Sequence, residues 1–83
     1  MTIVNGLGLH ARAAARFVNL ANRFGSQIRV ARRQREVDGK SILGLLLLSA
    51  ARGSEITITA DGPDEREAVA ALQHLAERGF EET

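Results

Sequence analysis

The chain has 83 residues, of which 45% are hydrophobic and 25% are charged, and its formal net charge is +1. This length suits one small domain over residues 1–83, and the composition is that of a globular chain. Cysteine is absent, which excludes disulfides and thiolate chemistry, and two histidines argue against a zinc site within the chain. The sequence shows neither a signal peptide nor an apolar run of about 20 residues that would span a bilayer. We therefore expect a cytoplasmic protein that does not insert into membranes and needs no metal or cofactor.

The first half of the chain predicts a short strand, a helix and a β-hairpin. Residues 2–4 are β-rich and precede a glycine-bearing loop. From residue 11 to about residue 22, apolar side chains recur at the spacing of an amphipathic helix. The apolar stripe of this helix comprises Ala14, Phe17, Val18 and Ala21. Gly25 ends the helix, residues 27–33 alternate as in a half-buried strand, and residues 35–38 form a return strand.

The second half predicts a helix, a strand and a final helix. Ser41 is a favourable N-cap for an apolar helix over residues 42–50. Residues 55–60 alternate between apolar side chains (Ile56, Ile58 and Ala60) and threonines, which predicts a half-buried strand. Asp64 and Glu67 have the spacing of a capping box at the start of the last helix, which Gly79 ends. The buried stripe of this helix comprises Ala68, Val69, Leu72, Leu75 and Ala76.

The predicted order of elements is therefore β-α-β-β-α-β-α. Strands that alternate between apolar and polar residues need cover on one face only, which favours an antiparallel sheet. We predict an α+β fold, an open-faced sandwich in which three helices cover one face of a four-stranded antiparallel sheet.

A histidine lies where the glycine-bearing loop meets the first helix. His10 follows Gly8 and Leu9 and precedes Ala11 and Arg12. Helix N-termini carry unpaired N–H groups and a partial positive charge, and they favour bound phosphate. Histidine titrates near neutral pH, and the positive end of a helix disfavours its charged form. The position therefore predicts a neutral imidazole that accepts a phosphoryl group, whereas the simpler interpretation is a capping side chain without chemistry.

Two motifs of the chain resemble those of the histidine-containing phosphocarrier (HPr) family of the bacterial phosphotransferase system. Residues 8–14, GLHARAA, are similar to the active-site motif of that family. Residues 40–44, KSILG, resemble its second motif, and Ser41 lies at the family's spacing from His10. Residues 52–58 and 61–72 are similar to the family's last strand and helix.

The resemblance implies a phosphoryl carrier, not an enzyme, with the open-faced sandwich described above. It implies that His10 accepts a phosphoryl group on Nδ1 from phosphorylated Enzyme I and passes it to a sugar-specific or regulatory IIA component. The backbone N–H groups of Ala11 and Arg12 would then hold the phosphoryl oxygens, and the Arg12 guanidinium would add a permanent charge. In some family members the serine of the second motif is phosphorylated by a dedicated ATP-dependent HPr serine kinase. Ser41 is therefore a regulatory candidate as well as an N-cap.

The helix after Ser41 is apolar nearly all round, although a helix on one face of a sheet buries only one stripe. If Leu45 and Leu48 point inward, its other apolar side chains are exposed, and such a patch marks an interaction site. The resemblance assigns the docking of Enzyme I and IIA proteins to this helix, whereas the opposing interpretation is a helix that belongs wholly to the core. The candidate partner-binding residues are Arg12, Ala15, Arg16, Ile42, Leu43, Leu46 and Leu47.

Several residues depart from the family pattern or have a structural interpretation. Ala13 stands where the family usually has proline, but alanine is the best helix former, so the helix should persist. The segment before His10 is shorter than usual in the family, which predicts a stunted first strand. Arg16 is either a partner contact or an ordinary surface arginine, and His74 is predicted to be solvated. Gly44, inside a helix, predicts close backbone packing.

Other functions remain open at this point. A purely regulatory protein-binding module, acting through Ser41 and residues 42–47, is the alternative to a carrier, although the pairing of His10 with Arg12 argues against it. The arginines of residues 29–35 allow a nucleic-acid binder, but the chain has no Tyr or Trp for base stacking. Residues 79–82 are similar to the nitrogen-related branch of the family, NPr, which serves regulation instead of sugar uptake. We expect a monomer that binds proteins and no nucleic acid.

Overall fold

A computed structural model describes residues 1–81. Its helices and strands are α1 (Ala11–Ala21), β1 (Gln27–Arg32), β2 (Arg35–Asp38), α2 (Ile42–Leu47), β3 (Thr57–Asp61) and α3 (Glu65–Glu77). A short turn over Gly79–Glu81 follows α3. Within the described residues, no helix is long and apolar enough to cross a membrane.

The strands form an antiparallel sheet in the order β2-β1-β3. Val30, on the central strand, pairs with Val37 of β2 and with Ile58 of β3. Val30 and Ile58 are buried, whereas Arg29 and Thr59, on the other face, are exposed. The alternation predicted from sequence is therefore confirmed, and the helices cover the apolar face.

The prediction of a fourth strand near residues 2–4 is wrong. This segment makes a single β-bridge, between Thr2 and Glu55. The Ile3 N–H donates to the Ser54 carbonyl at 2.8 Å, and the Gly53 N–H donates to the Ile3 carbonyl at 2.8 Å. Because Gly53 has φ +90°, the chain opposite Ile3 turns away and cannot continue an extended ladder. The expected stunted strand is thus reduced to one bridge, and within residues 1–81 the sheet has three strands.

The core lies between the sheet and the helices. α1 packs against α2 and α3, α3 packs against β3, and α2 packs against β2. Phe17 of α1 and Phe80 of the final turn are its largest buried side chains. Ala13, in the usual place of proline, is also buried, and α1 is regular through it. The stripe predicted for α3 is buried at Ala68, Leu72, Leu75 and Ala76, and Val69 is partly buried.

α2 is shorter than the helix predicted over residues 42–50. It ends at Leu47, and Ser49 has φ +51°, which takes the chain out of the helix. The guanidinium groups of Arg35 and Arg32 donate to the last carbonyls, those of Leu47 at 2.9 Å and Leu48 at 3.3 Å. Side chains from the β1–β2 hairpin therefore satisfy the end of this helix, and a local pattern could not have located it.

Asp64 is the N-cap residue of α3 as predicted, but the prediction of a capping box is wrong. The Asp64 side chain makes no capping hydrogen bond. Its carboxylate instead accepts from the Gly25 N–H at 2.9 Å and from the Ser26 N–H at 3.0 Å. Donors from the loop after α1 therefore outcompete those of α3, and Glu65 satisfies the nearby Gly62 N–H at 3.2 Å.

Candidate functional site: a histidine cap beside an exposed apolar helix

The loop that leads to His10 is held by hydrogen bonds within the loop and by one to the segment after α2. The Asn5 side-chain amide donates to the Gly8 carbonyl at 2.6 Å, and the Gly8 N–H donates to the Asn5 carbonyl at 3.1 Å. One residue later, the Leu9 N–H donates to the Ala50 carbonyl at 2.9 Å. These contacts fix the main chain directly before the imidazole.

Gly8 meets a steric requirement in this loop. Its φ is +68°, and a Cβ at this position would lie 2.5 Å from the Ala50 carbonyl oxygen. A side chain here would therefore clash with main-chain atoms in addition to adopting a disfavoured conformation.

His10 is the N-cap of α1. Its backbone is extended (φ −82°, ψ −178°), and its carbonyl accepts the Ala14 N–H at 2.8 Å, the first bond of the helix. The imidazole Nδ1 accepts from the Arg12 backbone N–H at 3.3 Å. This contact directs Nδ1 toward the first turn of α1. The half-buried ring therefore presents Nδ1 at the positive end of the helix.

The two residues after His10 place donors beside this nitrogen. Ala11 and Arg12 are both exposed in the first turn of α1, where backbone N–H groups have no partner within the helix. An anion attached to Nδ1 would meet those N–H groups, and the permanent charge of Arg12 lies on the same turn. The arrangement can bind and neutralise a phosphoryl group without enclosing it.

Arg16 has a contact that neither sequence interpretation predicted. Its Nη1 donates to the carbonyl of buried Phe80 at 2.7 Å and so ties α1 to the final turn. Gly79, in the same turn, lies close to Asn5: a Cβ added to Gly79 would lie 3.4 Å from the Asn5 Cβ. The final turn therefore packs beneath the loop that carries His10.

α2 has the two properties expected of it from sequence. Ser41 caps it, since its Oγ accepts the Gly44 N–H at 3.0 Å. A Cβ added to Gly44 would lie 3.3 Å from the Asp38 carbonyl oxygen, which agrees with the close packing predicted there.

The side chains of α2 divide into a buried and an exposed set. Leu45 and Leu48 are 0% and 2% exposed, whereas Leu43 is 75% and Leu47 61% exposed. Ile42 and Leu46 are also exposed, at 40% and 36%. We call the exposed set (Ile42, Leu43, Leu46 and Leu47) the leucine surface. The exposure predicted for these side chains is confirmed. The helix that carries them, α2, packs against α1, the helix that His10 begins.

The remaining candidate residues are Ala15 on α1 and His74 on α3. Ala15 is half-buried on α1. His74 is exposed, as predicted, and borders a groove between α1 and α3 with Arg16 and Arg78. Within residues 1–81, no group of histidine and carboxylate side chains could hold a metal ion. Glu82, part of the similarity to the nitrogen-related branch, lies outside the described residues.

Sequence reasoning gave no role to Asn5, Ala50 or Phe80. The spacing of Asn5 from Gly8 is a turn signal that could have been read locally. The contributions of Ala50 and Phe80 are backbone carbonyls brought in from distant segments, and these leave no mark in the sequence.

A family model described as PTS HPr component phosphorylation site matches residues 1–78. The phosphocarrier protein HPr of Cupriavidus necator is 51% identical over 81 residues, which cover 98% of this chain and 91% of that protein. The phosphocarrier protein HPr of Pseudomonas aeruginosa is 46% identical over 83 residues, covering 99% of this chain and 92% of that protein.

Solved structures agree with these relatives. The crystal structure of HPr-C-His from Thermoanaerobacter tengcongensis has a TM-score of 0.95 and 43% identity, covering 100% of this chain and 93% of that one. A structure described as an HPr dimer from the same organism has a TM-score of 0.83 and 44% identity, covering 99% of this chain and 94% of that one.

Proposed function

The chain belongs to the HPr family of phosphocarrier proteins of the phosphotransferase system, and from that premise we propose that His10 is its phosphoryl acceptor. Proteins of this family carry phosphoryl groups and are not enzymes. The proposed donor of the phosphoryl group is phosphorylated Enzyme I, and the proposed acceptor of the next step is a IIA component. We propose that the carrier acts as a monomer in the cytoplasm.

The observation that carries this proposal is the hydrogen bond from the Arg12 N–H to His10 Nδ1 at 3.3 Å. In the proposed transfer, the lone pair of His10 Nδ1 forms the new N–P bond while the bond between phosphorus and Enzyme I breaks. The phosphoryl oxygens then take over the N–H groups of Ala11 and Arg12. Phosphoryl transfer depends chiefly on positioning and charge stabilisation, and the helix end supplies both.

The exposure of Arg12 and of the first turn suits a carrier. A site that enclosed the phosphoryl group would stabilise the phosphorylated carrier and slow transfer to the next acceptor, because binding the ground state tightly does not lower the barrier to transfer. Here the group would project from a helix end, where a partner's own residues can reach it. The exposed Arg12 side chain would contact the phosphoryl oxygens from the solvent side.

The leucine surface is the proposed docking site for Enzyme I and IIA proteins. Leu43 and Leu47 are among the most exposed large apolar side chains in the described part of the chain. Exposed apolar patches of this kind mark binding surfaces. Arg12, Ala15 and Arg16 complete the proposed contact area on α1.

Ser41 is the proposed regulatory position. Its hydroxyl lies at the N-terminus of α2, directly before Ile42 and Leu43 of the leucine surface. A phosphate at a helix N-terminus is favourable for the fold, and it would add nearly two negative charges beside the docking site. Phosphorylation by an HPr serine kinase would thus weaken docking without unfolding the protein.

Phosphorylation with phosphoenolpyruvate and Enzyme I, followed by intact-mass measurement, tests the acceptor. We expect one acid-labile phosphoryl group on the wild-type chain and none on His10→Asn, since asparagine keeps an N-cap but has no nucleophilic nitrogen. His74→Asn is the matched control and should accept phosphate normally. An acid-stable adduct, or one that persists in His10→Asn, would refute the proposal.

A further inference from the structure

A groove lined by arginines lies between the β1–β2 hairpin and the end of α2. It has a volume of about 720 Å³ and is lined by Arg32, Arg33 and Arg35 on one side and by Leu47 and Ser49 on the other. A neighbouring cleft adds Arg52 to Arg32 and Arg33. We call Arg32, Arg33, Arg35 and Arg52 the basic groove.

Two of these arginines are held in place by α2. Arg35 Nη1 donates to the Leu47 carbonyl, and Arg32 Nη1 donates to the Leu48 carbonyl. A guanidinium has five N–H donors, and one carbonyl oxygen leaves others of them for a ligand. Because these side chains are already ordered, a partner loses less rotamer entropy on binding them.

The acidic residues at the groove have contacts of their own. Glu36 lies 3.9 Å from the Arg29 guanidinium on the outer face of the sheet. Glu55 accepts a hydrogen bond from Thr2 and lies 3.5 Å from the N-terminal ammonium. The groove therefore has an excess of positive charge although the whole chain carries only +1.

The hairpin places Arg33 in a conformation that the side chain disfavours. Arg33 has φ +58°, in the short connection where Arg32 pairs with Arg35. Turns with positive φ favour glycine or asparagine, and other residues cost stability there. A glycine would serve the fold better, so the presence of a cation at the hairpin tip indicates a role in binding.

From these observations we infer that the basic groove binds carboxylates on a protein partner that also covers the leucine surface. The argument rests on the proposed docking function, because Leu47 belongs to both surfaces. Leu47 is 61% exposed at the lip of the groove, so a ligand seated there meets apolar and cationic atoms together. None of the residues that line the two clefts is aromatic, so the basic groove offers no stacking for bases, which favours an acidic protein surface over a nucleic acid.

Such a groove would select among partners and accelerate their association. Charge complementarity acts mainly on the rate of encounter and on the rejection of wrong partners. Partners with carboxylates opposite the hairpin would bind faster than those that contact the leucine surface alone. The β1–β2 hairpin would therefore act as a specificity element for docking.

Association kinetics with purified Enzyme I and each IIA component of the same bacterium test this inference. The variant is Arg33→Gly combined with Arg52→Gln, since glycine suits the turn and neither change removes a bond to α2. We expect association with at least one partner to slow by about fivefold at low salt, and the difference to vanish at about 0.5 M salt. Arg66→Gln, an exposed arginine on α3, is the control and should leave the rates unchanged.

Unchanged association of the double variant with every partner at low salt would overturn the inference. Leu43→Glu, measured in parallel, separates this failure from that of the docking proposal. If Leu43→Glu weakens binding and the double variant does not, the inference alone is wrong. If Leu43→Glu also binds normally, the leucine surface is not the docking site. Steeply salt-dependent binding of a poly-uridine RNA, lost in the double variant, would identify a nucleic acid as the ligand and contradict the inference.

Discussion

The Ser26 hydroxyl donates a hydrogen bond of 2.5 Å to the Asp64 carboxylate and thereby joins the loop after α1 to the start of α3. Backbone N–H groups of Gly25 and Ser26 donate to the same carboxylate. The Ser26 hydroxyl, followed by the Gly25 N–H, holds the pKa of Asp64 below its usual value. The junction therefore depends on the ionised form.

The first prediction is that the stability provided by the Asp64 junction is lost at acidic pH. A carboxyl group with a lowered folded pKa stabilises the protein above its unfolded pKa of about 3.9, and this contribution is lost as the pH falls through the folded value. We expect Asp64→Asn to melt several degrees below wild type at pH 7, and the difference to shrink as the pH falls below the unfolded pKa of about 3.9. Thermal melts across this range measure the effect. Asp61→Asn, an exposed control, should melt close to wild type throughout, and a gap for Asp64→Asn that persists in acid would contradict the prediction.

A second prediction uses two neighbouring glycines. Gly8→Ala should lower the free energy of unfolding by about 2–4 kcal/mol, because alanine is disfavoured at positive φ and its Cβ would clash with Ala50. It should also slow phosphoryl acceptance, since the loop before His10 must shift. Gly6→Ala meets no atom within 4 Å and should be tolerated. Urea denaturation and transfer assays measure both, and equal stability of the two variants would rule out the steric argument.

The division of α2 into exposed and buried leucines gives the third prediction. Leu43→Glu should weaken binding of Enzyme I while the melting temperature stays within a few degrees, because this side chain is 75% exposed. Leu45→Ala, at a fully buried position, should cost about 2–5 kcal/mol of stability. Calorimetric titration and melting experiments separate the two effects. A large loss of stability in Leu43→Glu would place that side chain in the core.

The fourth prediction separates the structural and electrostatic roles of Ser41. Ser41→Ala removes the acceptor of the Gly44 N–H and should cost about 1 kcal/mol. Ser41→Asp keeps a capping oxygen and should retain stability, yet its charge beside the leucine surface should weaken binding of Enzyme I at low salt. Denaturation and binding measurements on both variants distinguish the roles. Wild-type affinity in Ser41→Asp would argue against regulation by charge at this position.

The features that could be predicted from sequence are those governed by neighbouring residues. The extent of α1, the hairpin strand at Arg35–Asp38 and the Ser41 cap follow from periodicity and capping chemistry over a few residues. The position of His10 at a helix start follows in the same way, from a glycine-bearing loop followed by alanines.

The features that could not be predicted depend on distant segments. Asp64 has a suitable capping sequence, but Ser26 and Gly25 offer it better placed donors. The end of α2 is set by Arg32 and Arg35 from the hairpin. In both cases tertiary hydrogen bonds override a local signal, which single-sequence reasoning cannot anticipate.

The bond from the Leu9 N–H to the Ala50 carbonyl has an evolutionary consequence. It joins the main chain directly before His10, the proposed phosphoryl acceptor, to the main chain after α2, which carries the proposed docking surface. The bond is independent of the side chains that α2 displays. If the proposed docking role holds, the leucines of α2 could change to suit a new partner while the imidazole keeps its position. Recognition and reactivity can thus change separately within a chain of this size.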